Sequence, residues 1–222
     1  MIVITGASDG LGKAVAALYV AAGKRVIGIS RGACAEGVEH IPTDLRDPTQ
    51  IAAAADQING DQEQLEALIN CAGVLSAETL DGLTPEALGN VLDVNLKAPM
   101  LLTSALLPKI KRDFADVVNV SSTYGLKAGP NESAYGASKW GLRGYSASLQ
   151  MELKDSPSRV ISFCPGAFYT NIYIKATGRD NSASKGPLMQ PSDVAQCLKY
   201  TLDLPKNMEV SEIVINRKQA KQ

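Results

Sequence analysis

Tyr135 and Lys139 stand four residues apart in Tyr135-Gly136-Ala137-Ser138-Lys139, within a stretch of helical periodicity. Residues at that spacing share one helical face, so a phenol and an ammonium can converge on a single ligand. A free tyrosine titrates near pH ~10, too high for a base at neutral pH, and an adjacent cation stabilises its phenolate. The bare pattern also occurs on solvated helices, so its meaning rests on its neighbours. Ser122 follows Val117-Val118-Asn119-Val120-Ser121, at the C-terminal end of an expected strand, where open parallel sheets bind ligands. Its hydroxyl could hold a carbonyl oxygen. Asn95, in Val94-Asn95-Leu96, is an amide in an apolar turn and needs a partner. Either it makes ordinary helix-to-loop bonds, or it anchors a water leading to Lys139.

A second constellation lies at the start of the chain. Thr5-Gly6-Ala7-Ser8-Asp9-Gly10-Leu11-Gly12 joins an apolar run to a helical one. Glycines at Gly6, Gly10 and Gly12 let backbone approach a pyrophosphate that side chains would block. The helix that follows offers free N–H groups and a positive dipole end. The next apolar run ends in Gly28-Ile29-Ser30-Arg31. An acidic residue there would bind the ribose 2′-hydroxyl of NAD, whereas a hydroxyl followed by a guanidinium suits a 2′-phosphate. The cofactor expected is therefore NADP(H). NAD(H) stays open, because the Asp9 carboxylate would repel that phosphate.

Elements must position these groups. Short apolar runs near Ile2–Thr5, Arg25–Ser30, Val38–Pro42, Leu65–Asn70, Asp116–Ser121, Arg159–Cys164 and Glu209–Ile215 read as strands. Helical periods fall near Leu11–Ala22, Pro48–Asn59, Pro85–Ile110, Ser133–Lys154 and Ser192–Leu202. Such alternation predicts an α/β, doubly wound Rossmann-type fold: a seven-stranded parallel sheet with helices on both faces. No linker or repeat divides the chain, so residues 1–222 are expected to form one domain. The polar stretch Lys175–Pro191 is either a plain connection or a lid.

Composition narrows the function. Hydrophobic residues make up 45% and charged residues 20%, and Lys plus Arg at 22 nearly balance Asp plus Glu at 23. Nothing in that balance points to a nucleic-acid partner. No apolar run approaches membrane-spanning length, and no secretory leader is evident, so the cytoplasm is the expected setting. Cys34, Cys71, Cys164 and Cys197 are scattered and His40 is the single histidine. Reduced cysteines and no metal site are expected.

Together these residues resemble the short-chain dehydrogenase/reductase family, in its compact single-domain form, over essentially the whole chain. The 5–12 loop is similar to its cofactor fingerprint, and Asn70-Cys71-Ala72-Gly73 to its N-N-A-G, with Cys71 replacing an Asn. The resemblance implies that Asp44, followed by Leu45, contacts the adenine. It also implies that Asn70, Ala72 and Gly73 line the cofactor site, and that Pro165, Gly166 and Thr170 hold the nicotinamide carboxamide. Asn95, Ser122, Tyr135 and Lys139 match all four catalytic positions of the family. Tyr135 and Lys139 also count among its cofactor contacts, and Ser30 and Arg31 resemble its NADP-preferring variant.

The activity expected is hydride transfer between a nicotinamide and a small carbonyl or alcohol. Two other readings share the motifs: a regulator that senses NADPH without turnover, and an NAD-linked alcohol dehydrogenase. A substrate loop at about 168–191 is expected. Leu75, Leu126, Phe168, Tyr169, Ile172, Tyr173 and Met189 are candidates for an apolar pocket. Small residues along Ser133–Lys154 permit close helix approach. Family resemblance implies that this helix and Pro85–Ile110 form a homodimer or homotetramer.

Overall fold

The computed structural model describes residues 1–180 and 188–218. Its strands are β1 (Ile2–Thr5), β2 (Val26–Ser30), β3 (Val38–Pro42), β4 (Ala67–Asn70), β5 (Asp116–Val120), β6 (Val160–Pro165) and β7 (Glu212–Ile215). They form one sheet in the order β3-β2-β1-β4-β5-β6-β7, and every pairing is parallel. The helices are α1 (Gly10–Ala21), α2 (Pro48–Gly60), α3 (Pro85–Leu92), α4 (Ala98–Asp113), α5 (Ser133–Glu152), α6 (Ile172–Thr177) and α7 (Pro191–Asp203).

Both faces of the sheet are buried, which explains why its central strands read as continuous apolar runs. Successive side chains alternate between faces. Ile2 and Ile4 of β1, with Ala67 and Ile69 of β4, pack under α1 and α7 through Val15, Tyr19, Val194 and Leu198. Val3 and Leu68 point the other way, against Ile51 and Ile58 of α2 and Leu102 and Leu106 of α4. Helix starts follow local chemistry: Asp9 caps α1, Asp47 caps α2 ahead of Pro48, and Thr84 caps α3 ahead of Pro85. Each such cap contributes about 1 kcal/mol.

The register aligns the C-terminal ends of the strands, pairing Thr5 with both Ile29 and Asn70, and Asn70 with Asn119. From β1 the chain winds outward to β3, then returns beside β1 as β4 and winds the opposite way. The reversal opens a crevice between the loops after β1 and β4, where ligands bind in such sheets.

Two local features depart from the sequence expectations. The continuous helix expected over Pro85–Ile110 is interrupted by a π-helical turn at Asp93–Lys97, with the Ala98 N–H donating to the Asp93 carbonyl. Pro99 favours the interruption, since it has no N–H to give to the Asn95 carbonyl. Helix α6 was not anticipated. The expected loop Lys175–Pro191 lies partly outside the described residues, which omit 181–187. Its far end returns to the sheet side, with Phe168 bridging to Met189. No helix among the described residues is long and apolar enough to cross a membrane.

Candidate active site

A cavity of about 1740 Å³ opens along the C-terminal edge of the strands. The loops after β1 to β6 all contribute to its wall, together with α3, α5 and α6.

The glycine loop forms its floor. Gly6 and Gly10 have φ of +72° and +53°, a backbone region that L side chains rarely adopt. A Cβ on Gly6 would fall 2.8 Å from the Ala72 Cα, and one on Gly12 would run into the Gly6 carbonyl oxygen. Gly6 thus lets β1 approach the segment after β4, and Gly12 lets α1 start against the loop. The Thr5 hydroxyl ties the same two segments by accepting from Cys71 N and Ala72 N, both at 3.0 Å. Ser8, Asp9, Gly10, Leu11 and Gly12 line the cavity, with the α1 N-terminus facing it. Beside it, a Cβ on Gly73 would stand 3.6 Å from both Asn95 Oδ1 and Lys139 Nζ. Glycine keeps that space open. A loop needing left-handed glycines at a helix N-terminus, beside a cradle that a single methyl would fill, fits a dinucleotide phosphate.

Ser122, Tyr135 and Lys139 meet on the opposite wall. β5 ends at Val120, and Ser122 caps the 3₁₀ turn Thr123–Gly125 by accepting from Tyr124 N at 3.1 Å. Tyr135 stands in the first turn of α5, and its hydroxyl is hydrogen-bonded to Ser122. One turn on, Lys139 is buried and donates to the Val120 carbonyl at 2.8 Å, its Nζ 5.8 Å from the Tyr135 ring centre. The Ser121 hydroxyl donates to the Lys139 carbonyl at 3.0 Å, fastening α5 to the end of β5.

Burial dominates the electrostatics. It pushes the Tyr135 phenol up to about 12 despite the hydrogen bond from Ser122, with Glu132 and Tyr124 adding to the rise. It brings the Lys139 ammonium down to about 8. The phenol is raised although the Lys139 Nζ stands close to its ring, so in the protein alone burial sets the direction of the Tyr135 shift. Desolvation of the phenolate outweighs the cation. The Cys71 thiol, also on the wall, is pushed up to about 12 by burial and is no nucleophile.

Asn95 lies behind the wall, fully buried in the π-helical turn. It accepts from Val74 N at 2.8 Å and donates to Val74 O at 2.8 Å and to Ser138 Oγ at 3.0 Å. Asn70 is also set back. Its amide donates to Thr103 and Asn119 within the core, so any approach to a ligand belongs to its backbone. Ser30 and Arg31 line the far end of the cavity, where the Ser30 hydroxyl donates to Gly32 O at 2.7 Å. Asp44 and Leu45 are there too. Arg46 clasps Asp44 through Nε and Nη2, and holds its carboxyl down to about 2. Ala72, Gly73, Pro165, Gly166 and Thr170 all reach the cavity.

Of the apolar candidates, Leu75, Phe168, Tyr169, Ile172 and Tyr173 line the cavity, whereas Leu126 and Met189 do not. Met189 is instead tied to the 168–169 segment, its carbonyl accepting from Tyr169 N at 3.0 Å. Several lining residues escaped the sequence reading, three of them making contacts with expected site residues. Tyr124 stacks edge-on against Tyr135 with ring centres 6.1 Å apart, Arg46 sits over Asp44, and Lys175 of α6 pairs with Asp9 at 2.6 Å. Only Tyr124, two positions past Ser122, carried a legible signal. All four cysteines are unpaired.

Comparisons with known proteins agree with this geometry. A family model described as short chain dehydrogenase matches residues 1–180. An uncharacterized short-chain type dehydrogenase/reductase of Sinorhizobium fredii is 31% identical, over 96% of this chain and 89% of its own length. Dehydrogenase/reductase SDR family member 7B of Rattus norvegicus is 33% identical over 82% of this chain, a match spanning 62% of that relative. Among solved structures, 4-hydroxyisoleucine dehydrogenase complexed with NADH superposes with a TM-score of 0.85 at 26% identity, covering 97% of this chain and 96% of that one. Serine dehydrogenase complexed with NADP+ shares the fold, with a TM-score of 0.88 at 22% identity, covering 97% and 94%. With a family model over most of its length and a relative above 30% identity along nearly all of it, the chain belongs to the short-chain dehydrogenase/reductase family.

Proposed function

We propose that this chain is an NADP(H)-dependent oxidoreductase that interconverts a small carbonyl and an alcohol. The observation that carries the reading is the wall on which the Ser122 hydroxyl meets Tyr135, with buried Lys139 one helical turn behind, across a cavity floored by the glycine loop. A bound nicotinamide supplies or accepts the hydride. The rest falls to the chain. Ser122 orients and polarises the substrate oxygen. Tyr135 gives it a proton in the reductive direction, and a phenol pushed up to about 12 is fully protonated at neutral pH, the state a donor needs. Lys139, brought down to about 8, exchanges a proton near neutrality and stands beside the Gly73 cradle where a ribose would lie. Asn95 fixes the segment around Val74, and its carbonyl, denied a bond from Pro99, offers an anchor for a water leading to Lys139.

The preference for NADP(H) rests on Ser30 and Arg31 at the ribose end. A specific observation favours a second reading, NAD(H): the Asp9 carboxylate in the glycine loop, together with the NADH held by the 26%-identical 4-hydroxyisoleucine dehydrogenase. The proposal includes a single domain over residues 1–222, a substrate loop at about 168–191 and a cytoplasmic setting. It also includes a homodimer or homotetramer joined through α4 and α5, where Met100, Leu101, Trp140 and Met151 are exposed.

The test is Tyr135→Phe, assayed with NADPH against aldehydes, ketones and quinones. Turnover should fall by about 10²–10⁴-fold, the usual share of a positioned acid, while dinucleotide affinity stays within about twofold. Near-normal turnover in this variant would defeat the assignment.

A further inference from the structure

Helix α6 keeps its place without burying a side chain. None of its residues is buried, so apolar packing does little to hold it. A polar attachment runs from it to the glycine loop. Lys175 Nζ donates to Asp9 Oδ2 at 2.6 Å, and Asn171 Nδ2 reaches both Asp9 carboxylate oxygens at 3.4 Å. Asp9 also accepts from Gly10 N at 2.7 Å, and a Cβ on Gly10 would lie 3.9 Å from the Thr170 side chain. A carboxylate therefore stands at the α1 N-terminus, where dinucleotide phosphates belong in the function proposed above. Unbalanced, it would repel them. It is not titrated away either, since the hydrogen bond from Lys175 holds its acid below the usual carboxylate range.

We propose that Lys175 is a positioning residue that neutralises Asp9, so that the glycine loop accepts a phosphate group while α6 stays docked at the cavity edge. The inference rests on the dinucleotide reading. With Lys175 and Asp9 at 67% and 40% exposure, the pair contributes little to stability on its own. Its effect appears when a third charge arrives. The cofactor loop and the substrate-side helix then answer to one ion pair, and cofactor affinity depends on a residue far away in sequence.

The experiment is a double-mutant cycle on dinucleotide affinity, measured by calorimetric titration of NADPH and NADH. Lys175→Met should weaken both dinucleotides by about 3- to 10-fold, the scale of one uncompensated charge at a partly exposed site. Asp9→Asn, which keeps the cap acceptor, should compensate: the double variant should bind both dinucleotides within about twofold of wild type. Lys175→Arg should restore affinity, and the penalty should shrink as salt rises. A double variant that binds as weakly as Lys175→Met alone would make Lys175 a direct phosphate ligand and overturn the proposal, as would no penalty for Lys175→Met. A wild-type protein that binds neither dinucleotide would remove the reading beneath it instead.

Discussion

The Asn95 carboxamide and the Val74 main chain bond in both directions, Val74 N to Oδ1 at 2.8 Å and Nδ2 to Val74 O at 2.8 Å. This reciprocal pair staples the segment leaving β4 to the π-helical turn, and a third bond to Ser138 Oγ extends the staple to α5. One side chain thus holds together the cofactor-side and catalytic-side walls. Asn95→Ala would strand buried donors and acceptors on two elements, each costing about 1–3 kcal/mol. Urea unfolding should show a loss of about 2–4 kcal/mol in total. A loss under about 0.5 kcal/mol, the usual scatter of surface substitutions, would contradict the staple.

Much of this was legible in the sequence. Parallel strands buried on both faces leave apolar runs, and Asp47-Pro48 and Thr84-Pro85 mark helix starts outright. The site residues could be read because catalytic groups sit where strands end, and strand ends are where periodicity changes. What stayed hidden was set by tertiary contact. The π-helical turn needed Pro99 to be read against Asn95, four positions back. Helix α6 has fewer than two turns and no buried face, so it leaves no periodic signal. The high phenol and low ammonium arise from burial, which spacing cannot report.

The ribose end gives a direct test of cofactor choice. Arg31 is exposed at the cavity, near enough to Asp44 to help hold its carboxyl down. If it binds a 2′-phosphate, Arg31→Ala removes charge-assisted bonds worth about 1.5–3 kcal/mol. Affinity for NADPH should then drop by about 10- to 100-fold with NADH unchanged. Equal losses for the two dinucleotides would assign Arg31 a general role and leave the preference to other residues.

Lys139 makes a prediction about pH. Its ammonium titrates at about 8 in the folded protein against an ordinary 10.5. Between those values the unfolded chain binds more protons than the folded one, so stability attributable to Lys139 rises with pH and is lost as pH falls through 8. Tyr135 acts oppositely at higher pH: its phenol is raised from 10.0 to about 12, so its contribution is intact below 10 and lost as pH rises through 12. The clean window is therefore pH ~8 to ~9.5. There, wild type should gain about 1–2 kcal/mol relative to Lys139→Met, measured by urea unfolding at each pH. A stability difference that is flat across the window would mean that Lys139 keeps an ordinary ammonium.

Two glycines should separate folding from binding. At Gly12 a methyl would meet the Gly6 carbonyl oxygen, a backbone atom with nowhere to go. Gly12→Ala should therefore distort the loop and lower stability by about 1–3 kcal/mol, as overpacking does. At Gly73 the same methyl would lie 3.6 Å from Asn95 Oδ1 and Lys139 Nζ, ordinary contact distances. Gly73→Ala should leave the urea midpoint within error, yet fill the cradle beside Lys139 and weaken NADPH and NADH alike by about tenfold or more, since a ligand displaced from its contacts loses binding steeply. Calorimetric titration on the folded variant checks this. Unchanged affinity would place the bound dinucleotide away from Gly73, and with it the nicotinamide away from the Ser122–Tyr135 wall.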